Sequence, residues 1–373
     1  MKINYHQLDK QIYYVKIIIW EGCPLRCSYC FVDKENNRAI EISTLEKLIE
    51  LLMYTPWHNK LLHLLGGEPL MYFDTIKYGI EYARKLEKET GKLLDISFCT
   101  SGVWFTQERL DFIRDNQIYL AWSIDGTKRI HDMNRTLLGW KWSYDMIIRS
   151  RDMVINSIQD THLGIAMTVN ENAVEYMYDS YLHLVEELGF RCTVNIAPVD
   201  GKIWPIAMQK KWVTELVRIY EYIIQEIGKW NFLYLNAFNK EFKFHMISSK
   251  NTWRCLWFYT EAFTNGDVLF NPFVNKQKDY SRYVVANIND EDFLEKVQKY
   301  IWCRFDTNSP TCISCKESYF WDNTDLSDSV QMNRLLSYRD RITEQYANKI
   351  RLLAKTHELY AQYMEKSKNY MHV

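Results

Sequence analysis

Between residues 13 and 200 the chain alternates short apolar runs with longer amphipathic stretches, and this alternation restricts the fold more than any other feature. The apolar runs at 14–20, 61–65, 94–99, 118–124, 163–169 and 191–197 have the length of strands. The stretches at 43–54, 73–89, 107–116, 143–157 and 173–188 carry apolar residues at helical spacing. Ser43-Thr44-Leu45-Glu46 has the form of a capping box, and Gly189 stands where a helix over 173–188 would close. Six strands separated by helices predict parallel pairing with right-handed crossovers, as an open sheet or a partial barrel. In such folds chemistry gathers at the C-terminal ends of the strands.

After about residue 200 the pattern changes. Residues 209–229 read as one amphipathic helix, an irregular Trp- and Phe-rich region runs to about 325, and 329–366 is helical by periodicity. Residues 264–273 read as a hairpin turning at Asn265-Gly266. The 373 residues carry 46 basic and 47 acidic side chains, a formal net charge of −1, which argues against a generally basic surface for nucleic acid. No apolar run approaches a membrane span, and the first residues have neither an apolar signal core nor a cleavage site. An intracellular, cytoplasmic location is expected, with no nucleic-acid or membrane partner.

The chain has nine cysteines, an odd number that excludes a fully paired disulfide framework. Three of them, Cys23, Cys27 and Cys30, form a Cys-x3-Cys-x2-Cys pattern in the loop after the first strand. Three thiolates on one short loop can hold three irons of a cubane cluster and leave the fourth iron open. The plainer readings are three buried loop cysteines, or zinc with a distant fourth ligand.

With Tyr29 just before its last cysteine, this motif resembles the signature of the radical S-adenosylmethionine (SAM) superfamily. The resemblance implies that Cys23, Cys27 and Cys30 bind a [4Fe-4S] cluster whose open iron takes SAM. Further segments are similar in kind and order. Gly66-Gly67-Glu68-Pro69 looks like the family's GGEP turn at the SAM ammonium. Cys99-Thr100-Ser101-Gly102 lies close to its Thr-Asn-Gly. Ser123-Ile124-Asp125-Gly126, then His131-Asp132 and Arg135, resemble a segment of the peptide-modifying branch. There the Ser hydroxyl and an Arg twelve residues later meet the SAM ribose and carboxylate, a spacing that Ser123 and Arg135 keep. An Arg fork suits a carboxylate because it can bond both oxygens. The resemblance covers roughly residues 14–200.

Cys255, the hairpin, Ala286-Asn287-Ile288, Cys303, Cys312 and Cys315 look like the SPASM or twitch extension that carries auxiliary clusters in peptide- and protein-modifying relatives. This chain departs from that pattern. Relatives place a cysteine where Asn271 stands, and sulfatase-maturing relatives follow it with an Asp base where Pro272 stands. Four thiolates fit one auxiliary [4Fe-4S] cluster or one zinc ion, and an empty, degenerate extension is the third reading. Cys99 and Cys192 are weighed as hydrogen-atom donors, although a lone strand cysteine is usually a small buried hydrophobe. The nine histidines form no metal spacing, and Trp253, Trp257, Trp302 and Trp321 read first as core.

The fold expected is α/β, a partial (β/α)6 TIM-like radical SAM barrel with a SPASM/twitch-like extension and a terminal helix. Its expected divisions are 1–205, 206–325 and 326–373. The resemblance implies a peptide or protein substrate, modified after hydrogen-atom abstraction by a 5′-deoxyadenosyl radical, and an electron donor such as flavodoxin or ferredoxin. The alternatives are a small-molecule substrate, or a non-catalytic relative that binds a cluster or zinc.

Overall fold

The computed structural model describes residues 5, 8, 12–30, 32, 37–139, 142–199, 204–239, 258–270, 281, 284–305 and 326–370, with only the backbone at 258–259, 270, 300–305 and 326–338. The chain divides into two compact units that interleave in sequence. The first takes 1–24, 30–100 and 250–323, and the second takes 25–29, 101–249 and 324–373.

In the first unit the strand Ile12–Trp20 lies between Asn59–Gly66 and Phe258–Ala262, parallel to both. Leu93–Thr100 pairs parallel with the far side of Asn59–Gly66. Asp267–Phe270 and Ala286–Asn287 continue the sheet antiparallel beyond Phe258–Ala262. Alternation divides the first strand into two faces. Val15, Ile17 and Ile19 are fully buried, whereas Tyr14, Lys16 and Trp20 are half-buried. The helix Ile42–Tyr54 packs on this strand and on the helix Phe73–Thr90, where Gly79 faces Leu45 and Ile49. That first helix stops at Thr55, whose extended backbone is what a residue before Pro56 prefers.

In the second unit Tyr119–Ser123, Leu163–Val169, Thr193–Pro198 and Tyr234–Leu235 form a parallel sheet in that order. Its helices include Gln107–Asp115, Ile206–Ile227, Leu326–Leu353 and Glu358–Ser367. Tyr220 and Thr343 share a buried hydrogen bond of 2.6 Å that ties the last long helix to Ile206–Ile227. A separate two-stranded antiparallel ribbon pairs Leu25–Cys27 with Arg135–Leu137.

The parallel α/β pattern is as expected from the sequence, and several local readings are corrected. The Ser43 capping box does not form: the helix starts at Ile42 after Glu41, without a side-chain cap, so Ser43 already lies in the first turn. The stretch 143–157 is two helices, Tyr144–Ile148 and Arg151–Ser157, because the Ser150 N–H bonds back to Ile147 in a tight turn. The stretch 173–188 begins as a 3-10 turn at Val174–Tyr176 and ends as a π turn at His183–Glu187, with Gly189 at φ 64° after it. The hairpin begins earlier than expected, with Phe258–Ala262 as its first strand. The C-terminal helical stretch breaks between Leu353 and Glu358.

Candidate functional site

At the C-terminal end of Ile12–Trp20, two glycines permit a close backbone approach. The Gly67 N–H donates to Trp20 O at 2.7 Å, and the Glu68 N–H donates to Gly22 O at 3.0 Å. A Cβ on Gly67 would lie 1.9 Å from Gly22 O, and one on Gly22 would lie 2.0 Å from the Trp20 ring. No side chain fits at either position. The Glu68 carboxylate is fully buried, caps the turn Pro69–Tyr72 by accepting from the Leu70 N–H at 3.0 Å, and accepts from the Thr100 hydroxyl. Pro69 opens that turn, where its missing N–H costs nothing. Gly66 and Gly67 therefore let the Trp20 and Gly22 backbone pack directly on this strand end, and the Glu68 side chain is already engaged.

Cys23 and Cys27 are half-buried, Cys30 is exposed, and none is in a disulfide. Cys27 ends its short strand opposite Arg135. In the second unit the chemistry converges on Asp125, which is fully buried. Its Oδ1 accepts from Arg135 Nη2 at 3.0 Å and from the Thr168 N–H at 3.0 Å, and its Oδ2 accepts from the Tyr29 hydroxyl. The Arg135 guanidinium also lies over the Tyr29 ring, 5.4 Å from its centroid. Burial works against the Arg135 charge, but the Asp125 carboxylate overrides it and holds the group protonated. Burial, with Asp125 adding to it, raises the Tyr29 phenol well above its ordinary range. Arg135 Nε is buried without a hydrogen-bond partner. Ser123, at the end of its strand, is 6% exposed.

A second layer holds this arrangement. The Asp125 N–H donates to His131 Nδ1 at 3.3 Å, so His131 is neutral with its proton on Nε2, facing the Ser143 oxygen at 3.1 Å. Burial, then the charges of Arg135 and Lys128, keep its pKa well down. The Ser143 hydroxyl donates to the Arg135 carbonyl, and Asp132 accepts from the Ser143 and Tyr144 N–H groups at 3.0 and 2.9 Å. The sequence motif contained Asp125 but gave no sign that it is the hub. Only strand register places it beside Thr168.

The first unit contains a feature with no sequence motif. Across four adjacent strands, Glu261, Lys16, His63 and Ser97 are neighbours in register. Lys16 and Glu261 pair at 2.9 Å with the carboxylate fully buried, and His63 Nδ1 meets Ser97 Oγ at 2.7 Å. Tyr14 stacks on His63 with ring centroids 6.4 Å apart. Burial, helped by Lys16, lowers the His63 pKa to about 3, so the ring is neutral. His63 lies three residues before Gly66 on the same strand, about 10 Å along it.

Cys99 is half-buried on the same strand face as Ser97. Cys192 is 1% exposed, and burial pushes its thiol far up, which leaves it an inert core residue as placed. The helix Phe293–Phe305 carries Cys303, whose side chain is outside the described residues, as are Cys255, Cys312 and Cys315 altogether. Among the described residues no three His, Cys, Asp or Glu side chains are gathered as a metal-holding group. The fit to a cluster with SAM rests instead on the donor set: three cysteines on one loop, none in a disulfide, and a charged, buried Arg135 with one N–H unspent. These residues fit it.

Comparison with known proteins agrees. Residues 17–179 match the radical SAM superfamily. The chain is 28% identical over 168 residues to the cysteine-type anaerobic sulfatase-maturating enzyme of Clostridium novyi, covering 43% of this chain and 44% of that protein. It is 21% identical over 340 residues to the radical SAM cyclopropyl synthase TigE of Paramaledivibacter caminithermalis, covering 84% of this chain and 68% of that one. The first of these matches thus spans less than half of its relative. The fold is that of the solved structure of native anSMEcpe with bound AdoMet and Cp18Cys peptide, at TM-score 0.67 and 17% identity over 90% of this chain and 99% of that one. The Cys-x3-Cys-x2-Cys loop, the glycine approach behind it and the superfamily match agree: residues 17–179 form a radical SAM domain.

Proposed function

We propose that this chain cleaves SAM reductively and abstracts a hydrogen atom from a peptide or protein, as a post-translational modification. The observation that carries this reading is the buried Arg135, kept charged by Asp125 and left with an unpartnered Nε, opposite Cys27 on the ribbon. Cys23, Cys27 and Cys30 would hold the [4Fe-4S] cluster, which with SAM bound supplies the electron that releases the 5′-deoxyadenosyl radical. Arg135 would take the SAM carboxylate through its free N–H, the Gly66-Gly67 backbone its ammonium, and Ser123 its ribose. Tyr29 and Asp125 orient Arg135 and keep water from it.

Cys99 would return a hydrogen atom to the substrate radical, while Cys192 stays in the core. Cys255, Cys303, Cys312 and Cys315 would hold one auxiliary cluster within a SPASM/twitch-like region at 206–325. A peptide substrate is supported by the names of the relatives, which are a sulfatase-maturating enzyme and a peptide-bound structure. Among the described residues no helix is long and apolar enough to cross a membrane.

Anaerobic reconstitution followed by iron and sulfide analysis tests the cofactor. About four irons per chain would support the SAM cluster alone, and about eight would add the auxiliary one. Deuterium transfer from a labelled cysteine- or serine-containing peptide into 5′-deoxyadenosine tests the substrate. Zinc without iron, and no SAM cleavage under reductant, would overturn the reading.

A further inference from the structure

Among the described residues three buried side-chain nitrogens lack a hydrogen-bond partner, and two of them, Asn134 Nδ2 and Arg135 Nε, belong to consecutive residues. Buried donors are almost always paired, so two orphans side by side mark where an acceptor on a ligand belongs. Asn134 is 1% exposed and ends the helix Lys128–Asn134. Its carbonyl accepts from the Ser28 N–H at 2.9 Å, while Arg135 pairs with Cys27, so both residues lie against the middle of the cysteine motif.

The direction of the Asn134 amide follows from its neighbours. The Ala173 N–H can only donate, and it donates to Asn170 Oδ1 at 3.0 Å. The other end of the Asn170 amide is then Nδ2, which donates to Asn134 Oδ1 at 2.6 Å. With its oxygen spent, Asn134 turns only N–H groups toward a ligand.

The two orphan-bearing side chains are anchored at one strand end. Asn170, which holds Asn134, follows Val169, the last residue of the strand Leu163–Val169. Asp125, which holds Arg135, accepts from the Thr168 N–H. Those anchors are about 7 Å apart along the chain. Asp125 already balances the Arg135 charge, so an anion brought here needs further donors that add no negative charge. An amide that can only donate is such a group.

We infer that Asn134 binds the carboxylate of SAM alongside Arg135, with Asn170 setting the direction of the amide. The inference rests on the reading that this chain binds SAM. Asn134 is then a binding residue, and Asn170, which touches no ligand, is a positioning residue.

The test titrates the iron-reconstituted chain with S-adenosylhomocysteine and with its decarboxylated analogue, which differs only in lacking the carboxylate. Asn134→Leu removes the donors at nearly constant volume. It should weaken S-adenosylhomocysteine binding about tenfold and leave the analogue within about twofold of wild type. Asn170→Asp keeps the pair hydrogen-bonded but reverses it: the new carboxylate draws Asn134 Nδ2, and the amide turns its oxygen toward the ligand. This variant should show the same carboxylate-dependent loss, and it decides the matter alone if Asn134→Leu melts early. A merely structural role would weaken both compounds equally. Equal losses, or wild-type affinity for S-adenosylhomocysteine, in Asn170→Asp overturn the inference while leaving the SAM reading intact. Failure of the wild-type chain to bind S-adenosylhomocysteine at all would overturn the SAM reading, and the inference with it.

Discussion

The two units bury charge in different ways. The first spreads it along a lateral row, with Glu261 on Lys16 and His63 on Ser97, each pair bonded across neighbouring strands. The second concentrates it on Asp125, which takes Tyr29, Arg135 and the Thr168 N–H and passes its own N–H to His131. A row of pairs can be edited one pair at a time. A hub cannot, because removing it strands several partners at once.

The largest effect should follow from Asp125→Ala, which leaves the buried Arg135 charge uncompensated and should cost about 3–5 kcal/mol, read by urea denaturation. Arg135→Met added to it should recover little, since Tyr29 and Thr168 remain stranded. Full recovery would erase the contrast. Next, Lys16→Met leaves the fully buried Glu261 carboxylate without its cation and should cost about 3 kcal/mol. Here the double variant Lys16→Met with Glu261→Leu should return to within about 1 kcal/mol of wild type. A double variant no better than the single would mean that the row too acts as a hub.

A smaller effect comes from pH. His63 is neutral when folded, with its pKa lowered to about 3 by burial and by Lys16. Below about pH 6.5 the unfolded chain takes up a proton that the folded one refuses, so stability falls as the medium is acidified toward pH 3. Between pH 7 and 5 this ring should account for about 2 kcal/mol. His63→Asn should flatten the slope of stability against pH, and an unchanged slope would assign the acid sensitivity to other groups, such as His131. The smallest effect is expected at exposed apolar side chains. Leu138→Glu and Leu352→Glu, at two exposed positions, should each shift stability by no more than about 0.5 kcal/mol, measured in the same denaturation series.

The strands were legible because apolar runs such as 163–169 have a signal as long as the element itself. The ribbon Leu25–Cys27 with Arg135–Leu137 was not, because three residues carry no period and their pairing spans about a hundred positions. The cysteine loop and the Gly66-Gly67 turn announced themselves by spacing. Asp125 and the Lys16 row did not, since both depend on which strand lies beside which, a matter of register. Helices drawn as single units at 143–157 and 173–188 were broken by a serine turn and a π turn that leave the apolar spacing nearly intact.

The seclusion of Cys192 has a practical use at the bench. A thiol 1% exposed, with its ionisation pushed far up by burial, should stay unmodified by an alkylating reagent until the chain unfolds. Cys30 stands in the open, and Cys23 and Cys27 are half open, so they should react first whenever iron does not claim them. Mass spectrometry after a brief alkylation would then carry its own blank. Label on the loop peptide, counted against an unlabelled Cys192 peptide, would give the fraction of molecules whose loop is unloaded, without any measurement of colour or turnover.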